Sequence, residues 1–346
     1  MSDEVLNSLY RALAEADGPV WWFADEQVIA PLPRAREDVQ VFCNRVDTAE
    51  ALRTAGFVVH LGDFAVEQAP LKPQTVVYRV SKERPLVNML INAAMTALPV
   101  GGRLLLSGYK NDGLKGYADK TAKTFAAERV VRKGGSGAYL AEITKRADSA
   151  ARLPDKDYRQ LRPICEEPLL YSKPGIYGWE KIDRGSRLLI SQLPDFVEGL
   201  TTPVHRIADL GCGYGYLSVA ANEYFPNAQW LLTDNNATAL LACEKNMAAH
   251  GMVAECVLTD CADGVSGPVD VLLCNPPFHQ GFAIEGGLTE RFLQGAARLL
   301  TPTGQALFVV NQFIPLPRYA EALFGQCKLL CEQDGFRVYG LSAPQV

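Results

Sequence analysis

The 346-residue chain carries 34 basic and 39 acidic side chains, a formal charge of −5, and 48% hydrophobic residues. That size and apolar content suffice for two cores. No apolar run reaches transmembrane length, and the acidic balance excludes a chain that is one uniform polyanion-binding surface. Nine cysteines with no Cys-x-x-Cys pair read as core residues of a reducing cytoplasm. Four histidines without ligand-spaced partners give no metal site, and the acidic start Met1-Ser-Asp-Glu lacks a signal-peptide pattern.

In chain order, residues 20–23 (Val-Trp-Trp-Phe), 40–42 and 58–60 read as short buried strands, with a helix at 48–54 stopped by Ala55-Gly56. A strand is predicted at 75–80. A helix follows at 84–97 with Leu86, Leu90, Ile91 and Ala94 on one face, then a turn at 98–102 and a strand at 103–107. Strands alternating with helices imply parallel βαβ units. Residues 109–133 hold seven basic and three acidic side chains among Tyr109, Tyr117 and Phe125. Lys110 and Lys115 are candidate RNA phosphate contacts there, beside the plainer reading of a solvated face. Gly134-Gly-Ser-Gly137 reads as a flexible break before a strand at 139–143.

The polar stretch 145–170, interrupted by Pro154, Pro163 and Pro168, sets a domain boundary. It gives a first domain over 1–150, a linker and substrate-side loop over 151–186, and a second domain over 187–346. An amphipathic helix is predicted from Ser186 to about Phe196. Asp183 stands either to cap that helix or to contact a bound acceptor, and Gly175 and Gly185 mark special backbone angles or close approach.

The strand His205-Arg-Ile-Ala-Asp209 then runs into Leu210-Gly211-Cys-Gly213-Tyr-Gly215 and a helix starting near Leu217. Glycines at such a turn let a ligand press on the backbone beside the free N–H groups of a helix start. Asp209 would repel a pyrophosphate and favour a cation such as the ammonium and sulfonium of S-adenosylmethionine. The strand 230–234 ends in Asp234, placed to accept from two ribose hydroxyls, with Asn235 beside it. After a helix at 237–250 and a strand at 254–258 come Asp260 and Cys261. Asp260 either reaches an adenine amine or caps a helix.

Residues 270–274 read as a fully buried strand that ends in Asn275-Pro276-Pro277-Phe278-His279. Two prolines bar any continuation of ladder or helix, so the chain leaves the sheet at its carboxyl end, where open α/β sheets bind ligands. The Asn275 side-chain oxygen and the Pro276 carbonyl can both accept from an amine, and Phe278 can stack on a planar ring. A helix at 288–299, a turn at 300–304 and a strand at 306–310 then repeat the order of 75–107, an internal duplication of pattern. Where the second copy has Asn275-Pro-Pro-Phe278 the first has Arg79-Val-Ser-Lys82, and the first half lacks a glycine-rich turn. It reads as a copy that lost its catalytic turns. The basic residues are also uneven: 201–346 holds seven against 13 acidic, so any grip on a polyanion comes largely from the amino-terminal half.

Asp209-Leu-Gly-Cys-Gly-Tyr-Gly215, an acid ending the second strand and Asn275-Pro-Pro-Phe278 at the fourth together resemble the class I S-adenosylmethionine-dependent N-methyltransferases. The Phe form followed by His279 resembles the bacterial ribosomal RNA guanine-N2 methyltransferases. That likeness extends to Leu98-Pro-Val-Gly101, Lys173-Pro-Gly-Ile-Tyr177 and Asp183-Arg-Gly-Ser186, and so to nearly the whole chain. It is strongest for the enzymes of small-subunit (16S) RNA, with the large-subunit (23S) sister enzymes sharing the architecture. The resemblance implies two tandem Rossmann-like α/β domains, the first degenerate, the second a seven-stranded sheet closed by a hairpin at 328–331 and 336–339. It implies S-adenosylmethionine as cofactor and the exocyclic N2 amine of a 16S guanine as acceptor, turned out of its stack. Asn275, Pro276 and Phe278 would carry the chemistry. Asp209, Gly211, Gly213, Gly215, Asp234, Asn235, Asp260 and Cys261 would hold the donor, and Pro277, His279, Asp183, Lys110 and Lys115 the RNA. A cytoplasmic monomer acting on the small subunit or an assembly intermediate, with no membrane partner, follows. A glutamine methyltransferase of a translation factor and a non-catalytic RNA-binding assembly factor are the alternatives from other classes.

Overall fold

A computed structural model describes residues 3–28, 30–277 and 282–345, with backbone alone at 282–286. The chain divides into two units, Met1–Gln160 and Leu161–Val346. In the first, α1 (Glu4–Ala14), β1 (Val20–Phe23), β2 (Val39–Cys43), α2 (Val46–Thr54), β3 (Val58–Leu61), β4 (Thr75–Arg79), α3 (Arg84–Ala97), β5 (Arg103–Tyr109), α4 (Leu114–Phe125), β6 (Glu128–Lys133) and β7 (Ala138–Thr144) follow in order. They build a sheet ordered β3-β2-β1-β4-β5-β7-β6. The second unit opens with a hairpin, β8 (Arg162–Glu166) and β9 (Leu169–Ser172), then α5 (Arg184–Ile190), α6 (Leu193–Glu198), β10 (Arg206–Leu210), α7 (Tyr216–Ala221), β11 (Gln229–Asp234), α8 (Ala237–Ala249) and β12 (Ala254–Leu258). It closes with β13 (Val269–Cys274), α9 (Phe282–Leu299), β14 (Leu300–Asn311), α10 (Leu316–Ala320), β15 (Phe324–Gln333) and β16 (Phe336–Pro344). Its sheet runs β12-β11-β10-β13-β14-β16-β15, the same order as the first. In both, the first five strands are parallel and the last two pair antiparallel. The duplication is one of topology, and the chain is the tandem α/β protein that its sequence resembles.

Central strands in such sheets are covered on both faces and therefore need apolar side chains at every position. Val20-Trp-Trp-Phe23 meets that demand: all four are buried. Trp22 packs with Leu9 and Leu13 of α1 on one face, while Trp21, Phe23 and Tyr78 pack with Leu90, Ile91 and Ala94 of α3 on the other. In the second unit Ile207, Val271 and Leu273 face Leu189, Leu217 and Cys243, and Ala208, Leu210 and Leu272 face Phe292, Leu293 and Ala296.

Two expectations are corrected, and several elements were not foreseen. The helix from Ser186 to Phe196 is two helices, α5 and α6, because Pro194 occupies the first turn of α6 and has no N–H to continue the ladder of α5. Residues 300–304 belong to β14, where Val269 pairs with Leu300 but Val271 with Gln305, so the residues between them bulge. Helix α1, the charged edge strand β6 and the hairpin β8–β9 have no counterpart in the sequence reading. Charges at an edge hide a strand's pattern while protecting it from further pairing.

A buried asparagine fixes the chain on each side of residue 160. In the first unit Asn92 donates to the Leu153 carbonyl at 2.9 Å and accepts from the Leu153 N–H at 2.8 Å. In the second, Asn246 accepts from Tyr171 N–H at 2.7 Å and donates to the carbonyls of Tyr171 at 2.9 Å and Tyr214 at 2.7 Å. It thus ties the hairpin to α8 and to the glycine-rich turn. Asn246→Ala strands three backbone polar groups at a fully buried position. A loss of about 3 kcal/mol or more in unfolding free energy is expected, measured by urea titration.

Candidate active site

Four strand ends of the second unit (β10, β11, β12 and β13) carry the predicted site residues at their carboxyl edges, as the parallel register requires. Asn275 directly follows β13, whose last residue Cys274 lies opposite Leu210. Its amide nitrogen donates to Asp183 Oδ2 at 2.9 Å and to Ser186 Oγ at 2.8 Å. A carboxylate only accepts, so the NH2 group must face Asp183, which leaves the Asn275 side-chain carbonyl to accept from something else. Asp183 serves twice over. The same Oδ2 accepts from the Ser186 N–H at 2.8 Å and caps α5. Gly185 fits between them because a Cβ there would come within 3.0 Å of the Phe336 ring and 3.1 Å of Asp183 Oδ2. Pro276 is buried and Pro277 exposed; Phe278 and His279 lie outside the described residues.

The glycine-rich turn bends by positive φ at Gly211, Gly213 and Gly215. At Gly215 a Cβ would also meet Met247 Cε at 2.9 Å and Cys243 Sγ at 3.0 Å, so the turn presses directly on α8. At Gly213 a Cβ would project into open space, leaving bare backbone for a ligand to approach. Asp234 binds this turn: its Oδ2 accepts from Gly213 N–H and its Oδ1 from Asn236 N–H, both at 2.8 Å. It is half-buried at the end of β11. Asn235 is half-buried beside it, and the cap of α8 is Asn236, whose side chain accepts from Thr238 N–H.

Three predicted donor residues stand differently from expectation. Asp209 is wholly enclosed, with Oδ2 accepting from Ser218 Oγ at 2.6 Å and Oδ1 without a hydrogen-bond partner among the described residues. Enclosed in this way, its carboxyl is out of reach of a ligand at the strand ends. Asp260 pairs with Arg291 of α9 at 2.8 Å and accepts from the Cys261 thiol at 3.4 Å. The Cys261 side chain is buried with Phe292, Leu293 and Ala296, so only its backbone can face a ligand. In the first unit Lys110 and Lys115 are exposed, and the Lys115 ammonium lies 4.5 Å from the centre of the Tyr139 ring. Ser186 and Ser218, which hold Asn275 and Asp209, were given no site role by the sequence reading, although Ser186 stands in its Asp183-Arg-Gly-Ser186 likeness. The Asp-x-x-Ser spacing at 183–186 was the available signal for the first, and nothing local marks the second.

Burial pushes the Asp209 carboxyl up to about 7 against the pull of the Ser218 hydroxyl, and the nearby Asp234 charge raises it further. A carboxyl raised in the fold stabilises below its unfolded value of about 3.9, and that contribution is lost as pH climbs through about 7. Asp209→Asn retains the Ser218 bond without the titration. The Tm advantage of wild type over Asp209→Asn should therefore shrink between pH 4 and pH 7 in the ligand-free protein, as read by scanning calorimetry. A constant difference would show that Asp209 is ionised throughout.

The strand ends thus bring together a bare glycine backbone at Gly213, a half-buried acid that holds it, a buried carboxyl at Asp209 and an oriented amide carbonyl at Asn275. Among the described residues no three His, Cys, Asp or Glu side chains are grouped to hold a metal ion, and no helix is long and apolar enough to cross a membrane.

Residues 167–340 match the methyltransferase small domain family. The ribosomal RNA small subunit methyltransferase C of Pseudomonas aeruginosa (strain LESB58) is 33% identical over 269 residues, covering 77% of this chain and 78% of its own length. Its namesake from Erwinia tasmaniensis is 26% identical over 287 residues, covering 83% and 81%. Among solved structures, a T. thermophilus 16S ribosomal RNA N2 guanine methyltransferase in complex with AdoMet and guanosine superposes with a TM-score of 0.79 at 21% identity. That match spans 97% of this chain and 91% of the other, and extends the likeness of fold through both units.

Proposed function

Because this chain belongs to the ribosomal RNA small subunit methyltransferase C family, we propose that it transfers a methyl group from S-adenosylmethionine to the exocyclic N2 amine of a guanine in 16S ribosomal RNA. The observation that carries the reading is Asn275, whose amide nitrogen is spoken for by Asp183 and Ser186 and whose carbonyl is free to take an amine proton. The donor supplies an electrophilic methyl on a sulfonium. The chain supplies orientation. Asn275 Oδ1 and the Pro276 carbonyl accept the two N2 protons, which turns the nitrogen lone pair outward and spreads the positive charge that grows on the amine. Gly213 gives the donor a bare backbone in the turn that Gly211 and Gly215 bend, Asp234 its ribose contact, and Asp209 a buried negative field once it ionises at about pH 7. No strong base is required, since the proton leaves a cationic nitrogen.

The exposed cations of the first unit, Lys110 and Lys115 among them, are the proposed grip on RNA phosphates, because the second unit is acidic. The partner is then ribosomal RNA within the small subunit or an assembly intermediate, met by a monomer in the cytoplasm. Small subunits, large subunits and a ribosome-free protein fraction from a strain lacking the protein, each incubated with purified enzyme and labelled S-adenosylmethionine, should yield N2-methylguanosine in 16S RNA of the small subunit alone. Label in 23S RNA alone would move the substrate to the large subunit. Label on a translation factor and none on RNA would make the chain a protein methyltransferase.

A further inference from the structure

Resting on the methyl-transfer reading, we infer that Asp183 and Ser186 are positioning residues whose work is to hold the Asn275 amide in the one rotation that points its carbonyl at the acceptor. An unrestrained asparagine amide at a loop tip presents its NH2 and its oxygen to the acceptor in either rotation, and only the oxygen can receive an amine proton. Asp183 removes the choice, since its carboxylate repels the carbonyl and accepts from the NH2 at 2.9 Å. Ser186 Oγ takes the second NH2 proton at 2.8 Å from a buried position. Both proton sites of the amide are thereby occupied. The brace is itself fixed, because Asp183 Oδ2 also accepts from Ser186 N–H and so cannot swing away without uncapping α5.

The first unit supplies an internal control. There the helix equivalent to α5 in the topology is α1, and its cap is Asp3, which accepts from Val5 and Leu6 N–H. Asp3 Oδ2 reaches Arg79 Nη1 at 2.5 Å. Arg79 follows Tyr78, the residue opposite Phe23 of β1, just as Asn275 follows Cys274 opposite Leu210 of β10. Both copies therefore join a helix-capping aspartate to the residue that leaves the fourth strand. In the first copy that residue is an arginine, which has donors only and can accept nothing from an amine. The brace is a property of the repeated architecture. What distinguishes the second copy is that the braced group has a carbonyl to offer.

The test compares Asp183→Ala, Asp183→Asn and Asp183→Ser, alone and with Asn275→Ala. Donor affinity by calorimetry shows that each variant is folded. Asp183→Ala should lower kcat for 16S guanine methylation by roughly 10- to 100-fold with KM for RNA little changed, the scale of a misplaced reacting group. Asp183→Asn should recover most of it, since one amide oxygen can accept both bonds that Oδ2 now accepts. Asp183→Ser keeps the cap of α5 without reaching Asn275 and should resemble Ala. In the Asn275→Ala background Asp183→Ala should add nothing. Multiplicative losses, or a rise in KM shared by Asp183→Asn and Asp183→Ala, would overturn the brace in favour of direct RNA contact. A reading that needs no reaction comes from the Asn275 side-chain NH2 resonance, assigned by its disappearance in Asn275→Ala. It should be protected from exchange in wild type and lose that protection in Asp183→Ala. Protection unchanged by the substitution sinks the inference. Protection lost in the variant, with wild type inactive on RNA, upholds the brace and removes the guanine reading instead.

Discussion

Asn275→Ala is expected to lower kcat for guanine methylation by about 10²- to 10³-fold, the effect of removing one preorganised group from a developing charge, while donor affinity stays within about twofold. The separation follows from the fold: Asn275 leaves β13, whereas the glycine-rich turn and Asp234 belong to β10 and β11. Steady-state kinetics and calorimetric titration with S-adenosylmethionine measure the two halves. Full activity in the variant would mean that the Pro276 carbonyl alone orients the amine. Asn275→Asp should be no better than Ala at neutral pH, because it sets a second carboxylate within hydrogen-bonding distance of Asp183, where like charges cannot both persist without cost. Its residual activity should rise as pH falls and one of the pair takes a proton.

Local chemistry made the strand-end turns readable. Asn275-Pro-Pro277 must leave a sheet because proline cannot continue it, and three glycines after Asp209-Leu210 must bend. Inner strands were readable where every position is apolar, as in Val20–Phe23, and helices where one face is, as with Leu86, Leu90, Ile91 and Ala94 in Arg84–Ala97. What stayed hidden was contact between residues distant in sequence. Asp183 lies 92 positions from Asn275, and Tyr171 lies 75 from Asn246, so no window of periodicity contains either pair. The direction of a side chain was equally out of reach: Asp209 and Cys261 stand where a donor site should be, yet their side chains turn into the core. Edge elements such as β6 escaped because their sequence is chosen against further pairing, and charge there mimics a solvated loop.

Asp234→Ala should weaken S-adenosylmethionine binding by on the order of 10²- to 10³-fold, because it removes the proposed charge-assisted acceptors for two ribose hydroxyls and frees the glycine-rich turn that the carboxylate holds. Loss of the carboxylate releases Gly213 and Asn236 N–H together, so the bare backbone at Gly213 and the start of α8 both lose their anchor. Saturating donor should restore much of kcat, which separates this variant from Asn275→Ala. Asp234→Asn is the sharper case. Both Asp234 oxygens accept from backbone N–H groups, so an amide nitrogen placed at either end meets a donor, and Asn should bind donor nearly as poorly as Ala. At Asp183 a single oxygen accepts both bonds, and there the same substitution is expected to be tolerated. One exchange of oxygen for NH2 thus has opposite consequences at two carboxylates of one site, and calorimetry on Asp234→Asn beside kinetics on Asp183→Asn reads the difference directly. Donor binding by Asp234→Asn close to wild type would show that Asp234 neither contacts the ribose nor holds the turn.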